Sequence, residues 1–178
     1  MTTLRTQWRW IAGVIFIAVI FLLVSKRSPL PGQKISAREA LMLAYPLRHG
    51  GWIKIRRELG DVPKTSEGLT RRIVKELMTE DSSPAVFTPL PETFPLRSVY
   101  FDGSQLYIDI ANEGVAELSG GSEDEMIVLE SLKQTLAWNL PSVEQFQILV
   151  DGVPRRTLGA VGEDAGHINI LGPIRIKK

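Results

Sequence analysis

The 178-residue sequence contains no cysteine, which excludes disulfides, catalytic thiolates and metal sites held by thiolates. Histidine is almost as scarce, because His49 and His167 are the only two. Each lies beside a glycine, where hydrogen bonding to nearby backbone is favoured over metal binding or catalysis. No serine stands in a recognisable hydrolase motif. We therefore expect no catalytic residue, no metal and no cofactor, and predict that the chain is not an enzyme.

Acidic residues are missing from the first 27 positions, which hold four basic residues. The rest of the chain carries the other 17 of the 21 basic residues and all 20 acidic ones, so it is mildly acidic. Such a body has no overall attraction for polyanions. We expect no nucleic-acid partner.

Long apolar runs are absent except for one, WIAGVIFIAVIFLLV, which extends from Trp10 to Val24 without a charge. Basic residues stand on both sides of it. A helix over residues 8–25 would be about 27 Å long at about 1.5 Å per residue, close to the ~30 Å hydrocarbon core of a bilayer. We predict a transmembrane anchor over residues 10–25, with Trp10 at one interface.

A cleaved signal peptide is the alternative for this segment, because its apolar part is short for a spanning helix. The following VSKRSPLPG offers no small-x-small cleavage site, which favours a retained anchor. The predicted topology is single-pass, with a stub of residues 1–9 in the cytoplasm and the bulk exported. Residues 26–37, which include two prolines, are predicted to be a linker. The folded domain is predicted over residues 38–174, followed by a basic tail, 175–178.

The first half of the domain predicts a hairpin and a helix. Residues 35–45 fit either a helix capped by Ser36 or a strand, and the strand is favoured because the following WIKIRREL alternates as strands do. Residues 65–80 place Leu69, Ile73 and Leu77 on one face at helical spacing, with Thr65 or Ser66 as the N-cap.

The second half of the domain predicts further strands before and after a second helix. Two strands, 97–101 and 105–110, are joined at Asp102-Gly103, a pair typical of tight hairpins. Their inward face is predicted to hold Val99, Phe101, Leu106, Ile108 and Ile110, with Tyr107 and Asp109 facing away.

Two glycines then precede SEDEMIVLESLKQTLAWN. Ser122 and Glu125 have the spacing of a capping box, and Met126, Leu129, Leu132 and Leu136 follow at helical spacing, with the helix ending near Asn139. Three acids at this helix start would repel a phosphate, so Gly-Gly is interpreted as a hinge and cap and not as a nucleotide-binding loop.

The strand 146–150 and a second Asp-Gly turn follow, with Pro154 confining the return strand to an edge. The tail GHINILGPI is consistent with a last strand or strap. Residues 65–151 therefore run helix, strand, strand, helix, strand. This order predicts an α+β fold, a two-layer sandwich of an antiparallel sheet with two helices on one face.

Several sequence segments, taken in their order along the chain, resemble the GerMN domain family of bacterial envelope proteins. They are PLRSVYFDGSQLYIDIANE, GGSEDEMIVLESLKQTL, VEQFQILVDGV and TLGAVGEDAGHINILGPI, and the likeness extends back through LMLAYPLRHGGWIKIRREL. It covers about residues 38–174. The sequence departs from the family at Ile110-Ala111-Asn112, where an apolar residue and serine are usual, and in a longer GAVGEDAGH.

The resemblance implies an extracytoplasmic domain held by a lipoprotein or transmembrane anchor, in a family first associated with sporulation and germination. It also implies likeness to ring-building motifs, and hence scaffolding or oligomerisation in the envelope without known catalysis. The expected location is the bacterial inner membrane, with the bulk of the chain periplasmic or otherwise extracytoplasmic.

Two functions remain open. The first is a membrane-anchored module that self-associates or binds an envelope protein through a sheet edge or an exposed helix face, with the candidate residues Arg71, Arg72, Tyr107, Arg155 and Arg156. The second is a module that binds cell wall or another glycan in a groove lined by Trp52, Tyr107 and Trp138. Aromatic residues at such places more often belong to a core.

Overall fold

A computed structural model describes residues 40–61, 63–118, 121–158 and 168–176. Within these ranges no helix is long and apolar enough to cross a membrane. The predicted stub (1–9), anchor (10–25, including Trp10 and Val24) and linker (26–37) lie outside the described residues, as does His167. These remain predictions from the sequence.

The described elements are seven strands, two α-helices and one 3-10 helix. In chain order they are β1 (Ala40–Pro46), β2 (Trp52–Glu58), α1 (Ser66–Leu77), β3 (Leu96–Asp102), β4 (Gln105–Ile110), the 3-10 helix (Asn112–Leu118), α2 (Ser122–Asn139), β5 (Gln145–Val150), β6 (Val153–Pro154) and β7 (Ile174–Arg175). The strand interpretation of the first element is confirmed, because β1 and β2 form an antiparallel hairpin. The predicted order from the first helix to the fifth strand, helix-strand-strand-helix-strand, is also confirmed.

The strands form two sheets, of which the β1–β2 hairpin is one. The other has five strands in the order β3-β4-β5-β6, and β7 also pairs with β5. The α+β class is confirmed, but the prediction of a wholly antiparallel sheet is wrong, because β4 and β5 run parallel. The helix α2 is the crossover between them, and it returns the chain to the end of the sheet at which β4 starts, so that β5 runs in the same direction.

One hydrophobic core joins the hairpin, both helices and one face of the five-stranded sheet. The helix α1 contributes Leu69, Ile73 and Leu77, all at most 1% exposed, as its spacing predicts. Of the predicted inward strand residues, Phe101 is only half-buried, because it lies next to the end of β3. Each fully buried aliphatic side chain stabilises the fold by about 1.5–3 kcal/mol.

The start of α2 differs from the predicted capping box. Ser122 is the first helical residue, and the N-cap is Gly121, which makes no side-chain cap bond. Glu125 is fully buried and accepts a 2.8 Å hydrogen bond from the backbone N–H of Ile168. The carboxylate therefore ties the C-terminal segment to the helix. Met126 is 57% exposed, so its prediction as an apolar-stripe residue is wrong.

The second hairpin turn has the predicted Asp-Gly loop, whereas the loop of the first turn lies one residue later than predicted. Asp102 is the last residue of β3, and the two-residue loop Gly103–Ser104 has φ +59° at the glycine. In the second turn Asp151 and Gly152 have φ +52° and +78°, both positive as a type I′ turn requires. Pro154 lies in the short edge strand β6, as predicted.

Candidate interaction surfaces

The face of the five-stranded sheet that points away from the core is polar and aromatic on β3 and β4, and we refer to it as the open face. On β5, Gln147 and Leu149 of the same face are buried. The centre of the open face is a pair of tyrosines, Tyr100 on β3 and Tyr107 on β4, directly opposite each other in the register. Their rings stack with centroids 4.7 Å apart and planes inclined by 13°, a geometry that stabilises cross-strand aromatic pairs. Tyr100 is 42% exposed. The pair is thus a preformed aromatic platform.

Glutamine side chains form a hydrogen-bonded ladder beside the tyrosines. The Nε2 of Gln145 donates to Oε1 of Gln105 at 2.8 Å, and the Nε2 of Gln105 lies 3.5 Å from Oε1 of Gln147. The Nε2 of Gln147 donates to the carbonyl oxygen of Leu171 at 2.9 Å. Because the amides partner one another across the strands, this part of the open face is ordered before any partner arrives.

Asp109 lies on the open face, as predicted, yet it is only 5% exposed. Its Oδ1 accepts a 2.7 Å hydrogen bond from the backbone N–H of Gly152, and its Oδ2 lies 3.8 Å from Nε of Arg97. The same arginine donates to Asp151 at 2.8 Å. Asp109 is therefore a structural anchor for the type I′ turn. Partial burial, followed by the Asp109 charge and by Tyr107, raises the pKa of Tyr100.

A second polar cluster joins β2 to the end of α1. Glu76, whose side chain is 10% exposed, accepts from Arg57 Nη1 at 3.1 Å and pairs with Arg72 Nε at 2.8 Å. Arg57 also lies 3.4 Å from Asp81. The Tyr45 hydroxyl donates to the carbonyl oxygens of Glu76 and Thr79, each 2.9 Å away, and burial raises its pKa.

The five predicted surface residues lie on two separate parts of the domain. Arg71 and Arg72 lie on α1, where Arg71 is exposed, reaching the carbonyl oxygen of Arg97 at 3.5 Å, and Arg72 is engaged by Glu76. Tyr107 is at the centre of the open face. Arg155, half-buried, and Arg156, exposed, follow β6 at the edge of the same sheet.

The aromatic groove proposed for a glycan is divided among three elements. Trp52 lies on β2, Trp138 on α2 and Tyr107 on β4. The Nζ of Lys54 lies 4.4 Å above the ring of Trp138, a cation–π contact that occupies that face. Tyr100 was missed by the sequence reasoning, although a two-residue turn after Asp102 places it opposite Tyr107.

The edge of β1 that faces away from β2 is closed by side chains of α2. The backbone N–H of Ala44 donates to Thr135 Oγ1 at 2.9 Å, and that of Met42 donates to Asn139 Oδ1 at 3.1 Å. Asn139 Nδ2 returns a 2.7 Å bond to the carbonyl oxygen of Met42. A helix thus takes the place of a neighbouring strand.

A surface cleft of about 580 Å³ lies beside the end of α1 and is lined by Lys75, Met78, Thr79, Glu80, Thr88, Leu90, Pro91 and Glu92. His49 is exposed in the hairpin loop. Across the described ranges no group of three histidine, aspartate or glutamate residues is placed to hold a metal ion.

Comparison with solved structures finds the same fold in bacterial proteins of low sequence identity. A protein described as a lipoprotein from Clostridium perfringens shares 18% identity at a TM-score of 0.54, covering 82% of this chain and 88% of that one. The first GerMN domain of the sporulation protein GerM from Bacillus subtilis shares 17% identity at a TM-score of 0.56, covering 74% and 92%. The tandem GerMN domains of the same protein share 14% at 0.50, covering 83% of this chain and 48% of that one.

No curated protein matches the sequence. The profile of the Germane family, described as sporulation and spore germination, matches residues 45–156, more than half of the chain. The match begins near the end of β1 and extends past β6, so it includes β2, both helices and the open face. The resemblance to GerMN domains is confirmed, and this chain belongs to the Germane family.

Proposed function

We propose that the chain is a scaffold or interaction module of the bacterial cell envelope without catalytic activity. In this proposal residues 10–25 anchor it in the inner membrane, and the Germane domain works outside the cytoplasm in protein assembly, in a sporulation, germination or general envelope role. The partner is an envelope protein or another copy of the chain. The observation that carries the proposal is the open face, where the Tyr100–Tyr107 stack lies beside a hydrogen-bonded row of glutamine side chains.

The shape and chemistry of this face favour a protein partner. Tyrosine is enriched at the centres of protein interfaces, because its ring supplies area at little entropic cost and its hydroxyl supplies a hydrogen bond. The glutamine side chains already bond to one another and to the Leu171 carbonyl oxygen, which lowers the cost of covering them. The family's association with sporulation and germination and the lipoprotein description of one structural neighbour support the envelope setting.

A photo-crosslinking amino acid at position 107 of the full chain in native membranes tests the proposal. We expect a discrete crosslinked species, a dimer or a complex with one envelope protein. The matched control places the same probe at Lys75, which is exposed on α1 and away from the open face. A discrete product from position 107 alone supports the proposal. Equal products from both positions, or none from position 107, contradict it.

Binding of cell wall or another glycan is the second candidate function, and the exposed, stacked tyrosines favour it, since sugar rings pack on aromatic faces. Co-sedimentation of the full chain in detergent with purified peptidoglycan separates the two functions. A chain that assembles and stays in the supernatant supports the first. A monomer that sediments with the wall, and ceases to do so after Tyr100→Ala, supports the second.

A further inference from the structure

The outer edge of β2 is the one long, regular strand edge that no described element covers. β2 has seven residues, contains neither proline nor glycine, and pairs with β1 without a bulge. The other edges are protected. α2 closes β1, the strands β6 and β7 cover β5, and β3 has an irregular register at Leu96/Ser98. An uncovered regular edge is a template for another strand.

The hydrogen-bond pattern shows which main-chain groups of β2 are free. In an antiparallel pair, successive residues point their N–H and C=O groups alternately toward and away from the partner strand. Met42 and Ala44 bond to α2, so they point away from β2, and their register partners are Arg56 and Lys54. The backbone groups of Lys54 and Arg56, and by alternation those of Trp52 and Glu58, therefore point outward from the hairpin.

The side chains along this edge combine charge with apolar surface. Lys54 and Arg56 are exposed on one face of the hairpin. On the other face Ile53 is 42% exposed and Ile55 is half-buried. Arg56 pairs at 2.9 Å with Glu58, both of them highly exposed, so a further carboxylate has free access to the guanidinium.

These charges disfavour a second copy of the chain as the occupant. An antiparallel β2–β2 pair centred on Ile55 would place Lys54 opposite Arg56 of the other copy. A pair centred on Arg56 would place that residue opposite itself, with Lys54 opposite Glu58, and one centred on Lys54 would place the two lysines opposite each other. A pair centred on Arg57 would place Arg56 opposite Glu58 but would overlap over only three residues of β2. Like charges directly opposite are destabilising in a sheet, whereas the carboxylates of an acidic strand would lie beside both cations, in addition to the Arg56–Glu58 pair and the Lys54–Trp138 contact.

We propose that the free edge of β2 binds an extended segment of a partner protein in which acidic residues alternate with apolar ones. The segment adds a third strand to the hairpin, with its carboxylates beside Lys54 and Arg56 and its apolar side chains beside Ile53 and Ile55. This inference rests on the proposed function as an interaction module and names the chemistry of the partner.

Fluorescence anisotropy on the full chain in detergent micelles tests it, with a labelled peptide of alternating glutamate and valine matched in length to β2. A peptide of the same length in which lysine replaces each glutamate is the control. We expect saturable binding of the glutamate peptide, at least about tenfold tighter than binding of this control, where tenfold corresponds to 1.4 kcal/mol. Arg56→Glu weakens binding of the glutamate peptide by about tenfold or more. The control Lys75→Glu makes the same charge change on α1 and shifts binding by less than about twofold.

Hydrogen exchange distinguishes strand addition from simple charge attraction. When the glutamate peptide binds, we expect the outward amides of Lys54 and Arg56 to exchange about tenfold more slowly, while the Ile55 amide, already paired with β1, changes little. Absence of binding, binding without this alternating protection, or equal losses in Arg56→Glu and Lys75→Glu overturn the inference. If the inference fails while crosslinking at position 107 succeeds, the proposed function stands and its surface is the open face.

Discussion

Gly152 shows how a single backbone conformation shapes the edge of the open face. Its φ is +78°, and a Cβ added there meets no atom within 4 Å. Any cost of a side chain at this position therefore comes from the conformation and not from a clash. A 2.7 Å hydrogen bond from the backbone N–H of Gly152 to Asp109 also holds this turn in place.

Gly152→Ala is expected to lower the free energy of unfolding by about 1–2 kcal/mol, the cost of a left-handed conformation for an L-residue. Gly60→Ala is the matched control, because Gly60 is also exposed and open to a Cβ but has no positive φ. Chemical denaturation of both variants measures the difference. Equal effects of the two substitutions would show that the turn is not strained by alanine.

Tyr45 makes the stability of the domain depend on pH in the alkaline range. Burial raises the pKa of its hydroxyl above the ordinary value of 10.0, and that hydroxyl donates to backbone carbonyls at the end of α1. The unfolded chain loses the phenol proton first as pH rises. The stabilisation is therefore complete below about pH 10 and is lost progressively above it, up to the pKa of the folded state.

Tyr45→Phe is expected to cost about 0.5–1.5 kcal/mol at neutral pH through the lost hydrogen bond. The gap in unfolding free energy between wild type and variant should narrow as pH rises above about 10, because only the wild type must ionise this buried group. Denaturation curves at a series of pH values measure the gap. A gap that widens with alkaline pH would reverse the assigned direction.

At the scale of elements, α2 both connects the parallel strands and closes the hairpin. Thr135 and Asn139 lie four residues apart on its buried face and bond to alternate residues of β1. Both are at most 1% exposed. Unpaired backbone groups in such a position would be costly.

Asn139→Leu is expected to destabilise the fold by about 1–3 kcal/mol, since it leaves the Met42 N–H and C=O without partners. The Met42 amide should also exchange faster, which separates this effect from a general loss of stability. The control Gln134→Leu alters a partly exposed amide that bonds to Glu130 on the same helix, with an expected change within about 0.5 kcal/mol. An unchanged Met42 exchange rate in Asn139→Leu would contradict the role assigned to Asn139.

The elements that the sequence predicted well are those set by local chemistry. The helix at 66–77, its Thr65 cap and both Asp-Gly hairpins depend on residues within a few positions of one another. Strand direction was predicted less well, because alternation in β5 shows which face is buried but not which way the strand runs. The direction of β5 is set by the connection through α2, which brings the chain back to the end of the sheet at which β4 starts.

Contacts between distant parts of the chain could not be predicted from local patterns. Asn139 reaches Met42 across 97 positions, and Gln145 reaches Gln105 across 40. Glu125 had the spacing of a capping residue, but in the folded domain it is buried against Ile168. In each case the partner is brought into reach by the tertiary fold and not by the local sequence.

At the scale of the whole molecule, the Germane family assignment rests on the folded domain, whereas the proposed location rests on the N-terminal sequence. The apolar run from Trp10 to Val24 lies ahead of the matched region, 45–156. An interaction module of the envelope needs both parts, an anchor and a body on the outer side of the membrane. The absence of cysteine makes this arrangement testable, because any introduced thiol is unique.

Labelling of Lys75→Cys by a membrane-impermeant maleimide in intact spheroplasts tests the central claim most directly. Lys75 is exposed on α1, so a thiol there reports on which side of the membrane the domain lies. The account predicts full labelling before lysis and recovery of the labelled chain with the membrane fraction. Labelling only after lysis, or recovery of the chain in the soluble fraction, would contradict it.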